Sequence, residues 1–372
     1  MTGLVLTDFR CFARATFALD ARPVVLTGPN GAGKTNVLEA LSLLTPGPGL
    51  RGARLAELPR RGAPAGARWA VAATVETPRG AVDIGTGQAD GEGENRRVVK
   101  IDGRVVRGQA ALAEAVGALW LTPSMDRMFN DGASSRRRFF DRLVLGFDPG
   151  HATQLSAYER VLRERARLLR DGVGDAVWLE AIENTMAAHG VAVAAARRAT
   201  LRRLAPTMAA GVGPFPGAEA TLEGTVEASL DDMPAVDAEA RFAEALAASR
   251  RHDAEAGGAA VGPHRTNLDV RHRGNGLPAA QCSTGEQKAL LIAILLATAR
   301  LQADERGQAP LLLLDEVAAH LDARHRGALF DALAAIDGQA WMTGTDAAVF
   351  APLGSRAQHF TVLGGMITVG LT

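Results

Sequence analysis

Apolar residues recur in short alternation at the start of this chain, and helical spacing takes over in its middle. Leu4, Leu6 and Phe9 carry the period of a half-buried strand, and residues 23–27 form a short run rich in β-branched side chains that ends at Gly28. Those two patterns predict a strand followed by a turn. Val37, Leu38, Leu41 and Leu44 then recur on one helix face from Thr35 onward, and Pro46-Gly47-Pro48-Gly49 stops that helix. Residues 68–75 and 98–101 read as further strands, with a Gly-rich, acidic loop over 85–94 between them.

From Ser134 to Ala210 the pattern becomes helical, for instance at Leu155, Tyr158, Val161, Leu162, Arg165 and Leu169. Breaks at Asp148-Pro149-Gly150 and at 171–174 predict two or three helices, with Asp175 as N-cap of the last. Residues 206–217 read as a Pro/Gly-rich loop, the stretch to Gly258 is weakly patterned, and 268–270 return to strand. The expected architecture is α/β, with a helical insertion dividing a sheet-bearing domain.

The length, 372 residues, allows such a domain plus a smaller lobe, and 47% apolar with 22% charged residues is ordinary for a globular protein. The apolar run 289–299 is about half of the roughly 20 residues a membrane span needs, so it reads as a buried helix. No secretory pattern opens the chain, and a cytoplasmic protein is expected. Cys11 and Cys282 are too few for a disulfide framework or a cysteine-bound metal. Net charge is zero, so any attraction to nucleic acid must be local.

The candidate chemistry lies at the junctions. Gly28-Pro29-Asn30-Gly31-Ala32-Gly33-Lys34-Thr35, followed by Asn36, fits the phosphate-loop pattern between a predicted strand and helix. Its glycines permit a curl of inward N–H groups at a helix N-terminus, Lys34 reaches the β- and γ-phosphates, and Thr35 offers a hydroxyl to magnesium. Far downstream, Leu311-Leu312-Leu313-Leu314 delivers Asp315 and Glu316 at a strand end. Asp315 is expected to help hold Mg²⁺ beside ATP, and Glu316 to orient or deprotonate the attacking water.

Ser283-Thr284-Gly285-Glu286-Gln287-Lys288 precedes the buried helix and resembles the signature motif of ABC-type ATPases. That resemblance implies that Ser283, Gly285 and Gln287 address the nucleotide of a second copy, making an ATP-dependent homodimer. The S-x-x-E spacing of Ser283 and Glu286 is also a helix capping box, and the two readings are compatible. His320-Leu321-Asp322 resembles the D-loop of the same superfamily, and Thr343-Gly344-Thr345-Asp346 stands where its switch segment lies. A Q-loop glutamine is not located.

Three more segments are similar to the RecF family of bacterial recombinational repair proteins: Leu6-Thr7-Asp8-Phe9-Arg10, the stretch from Pro123 closing on Arg136-Arg137-Arg138-Phe139-Phe140-Asp141, and Val261-Gly262-Pro263-His264-Arg265-Thr266-Asn267-Leu268. Leu50-Arg51 and residues 54–62 add a weaker match. Ser124, Ala133-Ser134 and Glu286 depart from the family pattern. The resemblance implies an ABC-type ATPase head over 1–130 and 256–372, with a helical arm over 131–255. It also implies slow ATP hydrolysis, clamping of DNA at gaps or single-/double-strand junctions, and RecA loading with RecO and RecR. An ABC-type subunit serving another partner, such as a membrane transporter, is the alternative, and the long insertion speaks against it. Arg136, Arg137, Arg138 and Arg142 either contact DNA phosphates or pair internally with Asp141, and the sequence gives both equal standing. His264 is likewise open between a buried hydrogen-bonded role and a functional one.

Overall fold

The computed structural model describes residues 1–64, 66–89, 96–109, 111–172 and 175–370, with the side chains of 319 and 320 outside that description. Parts of two expected breaks, 90–95 and 173–174, lie outside the described residues, as does the side chain of His320 in the expected D-loop. The chain divides into two compact units, one comprising Met1–Asp126, Gly211–Phe215 and Leu291–Thr372, the other Arg127–Ala210 and Pro216–Leu290.

Its first stretch carries β1 (Gly3–Phe9), β2 (Phe12–Ala18), β3 (Val24–Thr27), α1 (Lys34–Ser42), β4 (Ala70–Thr77), β5 (Gly80–Gln88), β6 (Arg97–Ile101), β7 (Arg104–Val106), α2 (Leu112–Ala115) and β8 (Ala118–Leu121). The middle carries α3 (Ala133–Leu145), α4 (His151–Arg170), α5 (Ala176–Ala210), β9 (Ala218–Glu223), α6 (Thr225–Asp232), α7 (Ala235–Ala256), β10 (Asn267–His272) and α8 (Thr284–Arg306). Last come β11 (Leu311–Leu314), α9 (Ala323–Ala335), β12 (Ala340–Gly344), β13 (Gln358–Leu363) and β14 (Met366–Val369).

The first unit holds two six-stranded sheets. One, in the order β2-β1-β4-β5-β6-β7, is antiparallel throughout. The other, β14-β13-β3-β12-β11-β8, is parallel except for its β13–β14 edge pair. Strands β3, β11 and β12 are buried at every position, as continuous apolar runs in a sheet covered on both faces must be. Phe17 of β2 meets Trp341 of β12 and Phe360 of β13 edge-on, with ring centroids 5.6 and 5.3 Å apart, so the two sheets share one core. In register, Thr343 lies beside Leu26 and Met342 beside Leu314. The carboxyl ends of β3, β12 and β11 therefore stand side by side, the edge where such sheets place their sites.

The second unit packs Tyr158, Val161, Leu179, Met186, Phe242 and Leu246 of α4, α5 and α7 into a core of its own. Asp175 caps α5 as expected, accepting from the N–H groups of Val177 and Trp178 at 3.0 and 3.2 Å. The loop expected at 206 is a continuation of α5, which runs through Pro206 to Ala210. Leu204 and Met208, buried on either side, anchor the turn that proline would otherwise release. The weakly patterned stretch holds β9, α6 and the 22-residue α7. Because β10 pairs with β9 throughout, the segment 256–290 groups with the helical unit, whereas the sequence-drawn boundary places it in the head.

Candidate nucleotide-binding site

Strand β3 ends at Thr27, and the chain turns sharply at Gly28, whose φ is 146°. A Cβ there would stand 2.2 Å from the carbonyl oxygen of Val362, so only glycine lets the loop pass this close to β13. Gly33, with φ 116°, is the N-cap of α1, and a Cβ on it would lie 2.6 Å from Cys11 Sγ. With no side-chain cap and no acid in its first turn, α1 presents its unpaired N–H groups at the loop. Pro29, Asn30 and Gly31 are exposed at the crest, while Ala32 is buried and its N–H donates to Pro29 at 3.3 Å.

Lys34 is buried, and its Nζ donates to the carbonyls of Gly28 and Pro29 at 2.7 and 3.0 Å. Burial pushes its pKa below the usual lysine value, and the negative charges of Glu316 and Asp315 act in the opposite sense. Asn36 is turned away: its amide donates to Cys11 Sγ at 3.2 Å, and its Oδ1 accepts from Arg51 at 2.7 Å. Arg51 and Arg10 both pair with the buried carboxylate of Glu39. The Asn36 side chain thus braces the loop through a network with Arg10 and Arg51 of the opening segments, while its backbone N–H stays in the first turn of α1.

Thr35 Oγ1 lies 3.0 Å from both carboxylate oxygens of Asp315. Thr343 Oγ1 donates to Asp315 Oδ1 at 2.7 Å and accepts from the N–H of Glu316 at 2.9 Å. One hydroxyl on β12 thereby positions both acids at the end of β11. Glu316 itself adopts the left-handed region, φ 53° and ψ 18°, which is uncommon for a side-chain-bearing residue and marks a constrained site. Its carboxylate makes no hydrogen bond with the described residues, in contrast to the doubly held Asp315. Sequence patterns identify both acids, and the switch-segment resemblance takes in Thr343 without assigning a task to its hydroxyl.

The second unit holds the other motif. Ser283 and Glu286 form the capping box: Ser283 N–H and Oγ each donate to Glu286 Oε2 at 2.8 Å, and Glu286 N–H returns to Ser283 Oγ at 3.3 Å. Those bonds hold the Glu286 carboxyl below its usual range. Gly285 has no neighbour where a Cβ would stand, so the helix start is open at that point. Gln287 is buried, accepting from Asn130 Nδ2 at 3.0 Å and donating to the carbonyl of Cys282 at 2.8 Å. Both ends of its amide are engaged within the unit, where they shape the turn.

The family model described as RecF/RecN/SMC N terminal domain matches residues 1–343. A DNA replication and repair protein RecF from Mesorhizobium japonicum is 51% identical over 100% of this chain and 98% of its own length. The chain belongs to the RecF family. A second RecF relative, from Rhizobium rhizogenes, is 49% identical over 99% of this chain and 98% of its own. Among solved structures, the recombination mediator protein RecF-ATP in the RecFOR pathway matches with a TM-score of 0.84 at 20% identity, covering 100% of this chain and 97% of that one. An Smc head domain with an extended coiled coil, bound to the C-terminal domain of ScpA and derived from Pyrococcus furiosus, matches at 0.54 and 15%, covering 99% and 95%. These likenesses bear out the ABC-type α/β head with its helical arm.

In this RecF-family chain Arg136, Arg137 and Arg138 of the α3 segment make internal hydrogen bonds. Arg136 donates to Asn267 Oδ1 at 2.9 and 2.8 Å and to the carbonyls of Phe129 and Asp131. Arg137 donates to the carbonyl of Thr266 at 2.8 Å, and Arg138 to Ser135 Oγ at 3.1 Å. Arg142 is pushed down to about 9 by burial and the neighbouring Arg138. The carboxylate weighed as their partner, Asp141, is instead held by Arg197 at 2.8 and 2.9 Å and by His151 at 2.9 Å. Burial alone would raise Asp141, but Arg197 and His151 hold it down at about 2. His264 Nδ1 lies 2.6 Å from the Tyr158 hydroxyl and its Nε2 is 3.0 Å from the carbonyl of Ala259. Burial lowers it to about 4, and both ring nitrogens are engaged within the unit.

Proposed function

We propose that ATP clamps two copies of this chain together on DNA at gaps or single-/double-strand junctions, in the recombinational repair role carried by its RecF relatives. The supporting observation is the convergence of Lys34, Thr35, Asp315, Glu316 and Thr343 at one sheet edge beside an uncapped helix N-terminus. Such an edge binds the triphosphate through loop N–H groups and the Lys34 ammonium.

Thr35 and Asp315 offer hard oxygen donors that already meet, a donor set suited to magnesium, which typically takes one or two carboxylates plus substrate phosphates. Bound there, the ion neutralises charge on the phosphate oxygens. Glu316, its carboxylate unengaged by the described residues and its backbone fixed, orients or deprotonates the attacking water. Ser283 and Gly285, at the start of α8, meet the phosphates of the other copy through the N–H groups of that helix. RecO and RecR are the partners of this reading, with RecA loaded as the outcome and the cytoplasm as the compartment. No helix among the described residues is long and apolar enough to cross a membrane.

Filter retention of a gapped duplex with and without Mg-ATP tests the proposal. Retention that needs ATP and disappears in Lys34→Ala supports it, and retention indifferent to ATP overturns it.

A further inference from the structure

The outward face of α4 carries a line of side chains that the nucleotide site does not use. Arg160, Arg163, Arg167 and Arg170 are all exposed and follow one another at intervals of three and four residues. At 3.6 residues per turn they fall within about 80° of arc and extend about 15 Å along the helix. Toward the N-terminus the same face continues through the exposed hydroxyls of Ser156 and Thr153, so no acid interrupts it. Glu159 and Glu164 stand at its two borders, and only Glu159 reaches an arginine of the line, Arg163, at 3.9 Å. The exposed charges of α7, by contrast, alternate in sign: Asp237, Arg241, Glu244, Arg251 and Glu255.

An exposed aromatic ring lies at the same end of the α4–α5 pair as Arg170. Gln154 meets His189 at 2.7 Å and Arg165 meets Glu183 at 3.0 Å, so α4 and α5 run antiparallel with residue 165 level with 183. Five residues further along each helix, Arg170 and Trp178 reach the same end of the pair. Trp178 is 43% exposed beside the still more exposed Val177, whereas Trp69, Trp120 and Trp341 are buried. A row of guanidinium groups and, at the same end of the helix pair, a solvent-facing indole supply an electrostatic track for phosphates and a platform on which a base stacks.

We infer that this face of the helical unit is a binding track for single-stranded DNA, its phosphates on Arg160, Arg163, Arg167 and Arg170 and a base stacked on Trp178. The inference rests on the DNA-binding reading above and assigns the single strand of a junction to a surface other than the α3 arginines. The charge line is complementary to a phosphate backbone. Binding of this kind ignores sequence and weakens with salt.

The test uses the full chain with Mg-ATP, an oligothymidylate of about 20 nucleotides and a duplex of the same length, lengths that exceed the site. Intrinsic tryptophan fluorescence should be quenched by the single strand and not by the duplex, and the quench should vanish in Trp178→Phe. Trp178→Ala should weaken single-strand binding about fivefold or more. Replacing all four arginines with glutamine should reduce the slope of log K against log salt by about 2.8, that is about 0.7 for each phosphate no longer neutralised. Arg163→Gln and Arg170→Gln singly should each lower it by about 0.7, which keeps the test decisive if the fourfold variant folds poorly. ATP binding should be unchanged throughout, and melting temperature unchanged in the arginine variants, whose side chains are exposed. Wild-type single-strand affinity and salt slope in the variants, or an equal quench by duplex, would overturn the track while leaving the ATP clamp standing. Failure of the wild type to retain any DNA with ATP would instead remove the reading beneath both.

Discussion

Thr343→Val removes one hydroxyl and almost nothing else, because valine has nearly the same shape in a buried strand. Two bonds disappear: the donation to Asp315 Oδ1 at 2.7 Å and the acceptance from Glu316 N–H at 2.9 Å. The first involves a charged acceptor and contributes about 1.5–3 kcal/mol, and the second leaves a half-buried N–H unmatched at a cost of about 1–3 kcal/mol. Part of that sum emerges as reduced stability. The rest falls on hydrolysis, because the backbone bond holds Glu316 in its left-handed conformation and so aims its carboxylate. Each increment of about 1.36 kcal/mol off transition-state stabilisation is tenfold, so turnover should drop about 10- to 100-fold. ATP affinity should change much less, since Lys34 and the loop N–H groups are untouched. Steady-state ATP turnover, a fluorescent-nucleotide titration and a thermal melt give the three readings. Wild-type turnover in Thr343→Val would refute the claim that this hydroxyl positions Glu316 for the proposed hydrolysis.

Gly28→Ala should destabilise the head by more than about 1 kcal/mol and weaken ATP binding, because its Cβ would meet the Val362 carbonyl at 2.2 Å in backbone that L-residues avoid; a melt and a nucleotide titration check both. Arg136→Gln should lower the melting temperature by a few degrees through its bonds to Asn267, Phe129 and Asp131, with DNA affinity in the folded protein unchanged. On acidification the helical unit should lose stability in two steps. His264, held at about 4 when folded against an ordinary 6.5, lets the unfolded chain take the proton first, so up to about 3 kcal/mol disappears as pH falls from 6.5 to 4. Asp141, held at about 2 against an ordinary 3.8, adds a further decline below about pH 4. Melts from pH 7 to 3 test this, and His264→Gln should flatten the upper step.

The parts of the site that one local segment specifies are legible in the sequence. A phosphate loop needs its glycines at fixed offsets, and an apolar strand must deliver Asp315 to the sheet edge, so Lys34, Thr35, Asp315 and Glu316 stand where their motifs predict. Asn36 and Gln287 are motif neighbours whose side chains answer to distant partners, Cys11 and Arg51 for one and Asn130 for the other, which adjacency in a motif does not foretell. Arg197 carries no local signal because its partner Asp141 is 56 residues away on another helix. The differences in fold have the same origin. Pro206 reads as a breaker until Leu204 and Met208 are seen buried around it, and α7 hides behind mixed Ala and charged positions that gain meaning only against Phe242 and Leu246 in the core.

The central claim is that ATP assembles two copies on DNA, and solution mass tests it most directly. Wild type and Glu316→Gln are compared with and without Mg-ATP, in the presence and absence of a gapped duplex. The account predicts a monomer that becomes a DNA-holding dimer with ATP, and a dimer that persists in Glu316→Gln because hydrolysis no longer releases it. A protein that binds ATP yet stays monomeric and free of DNA would contradict it.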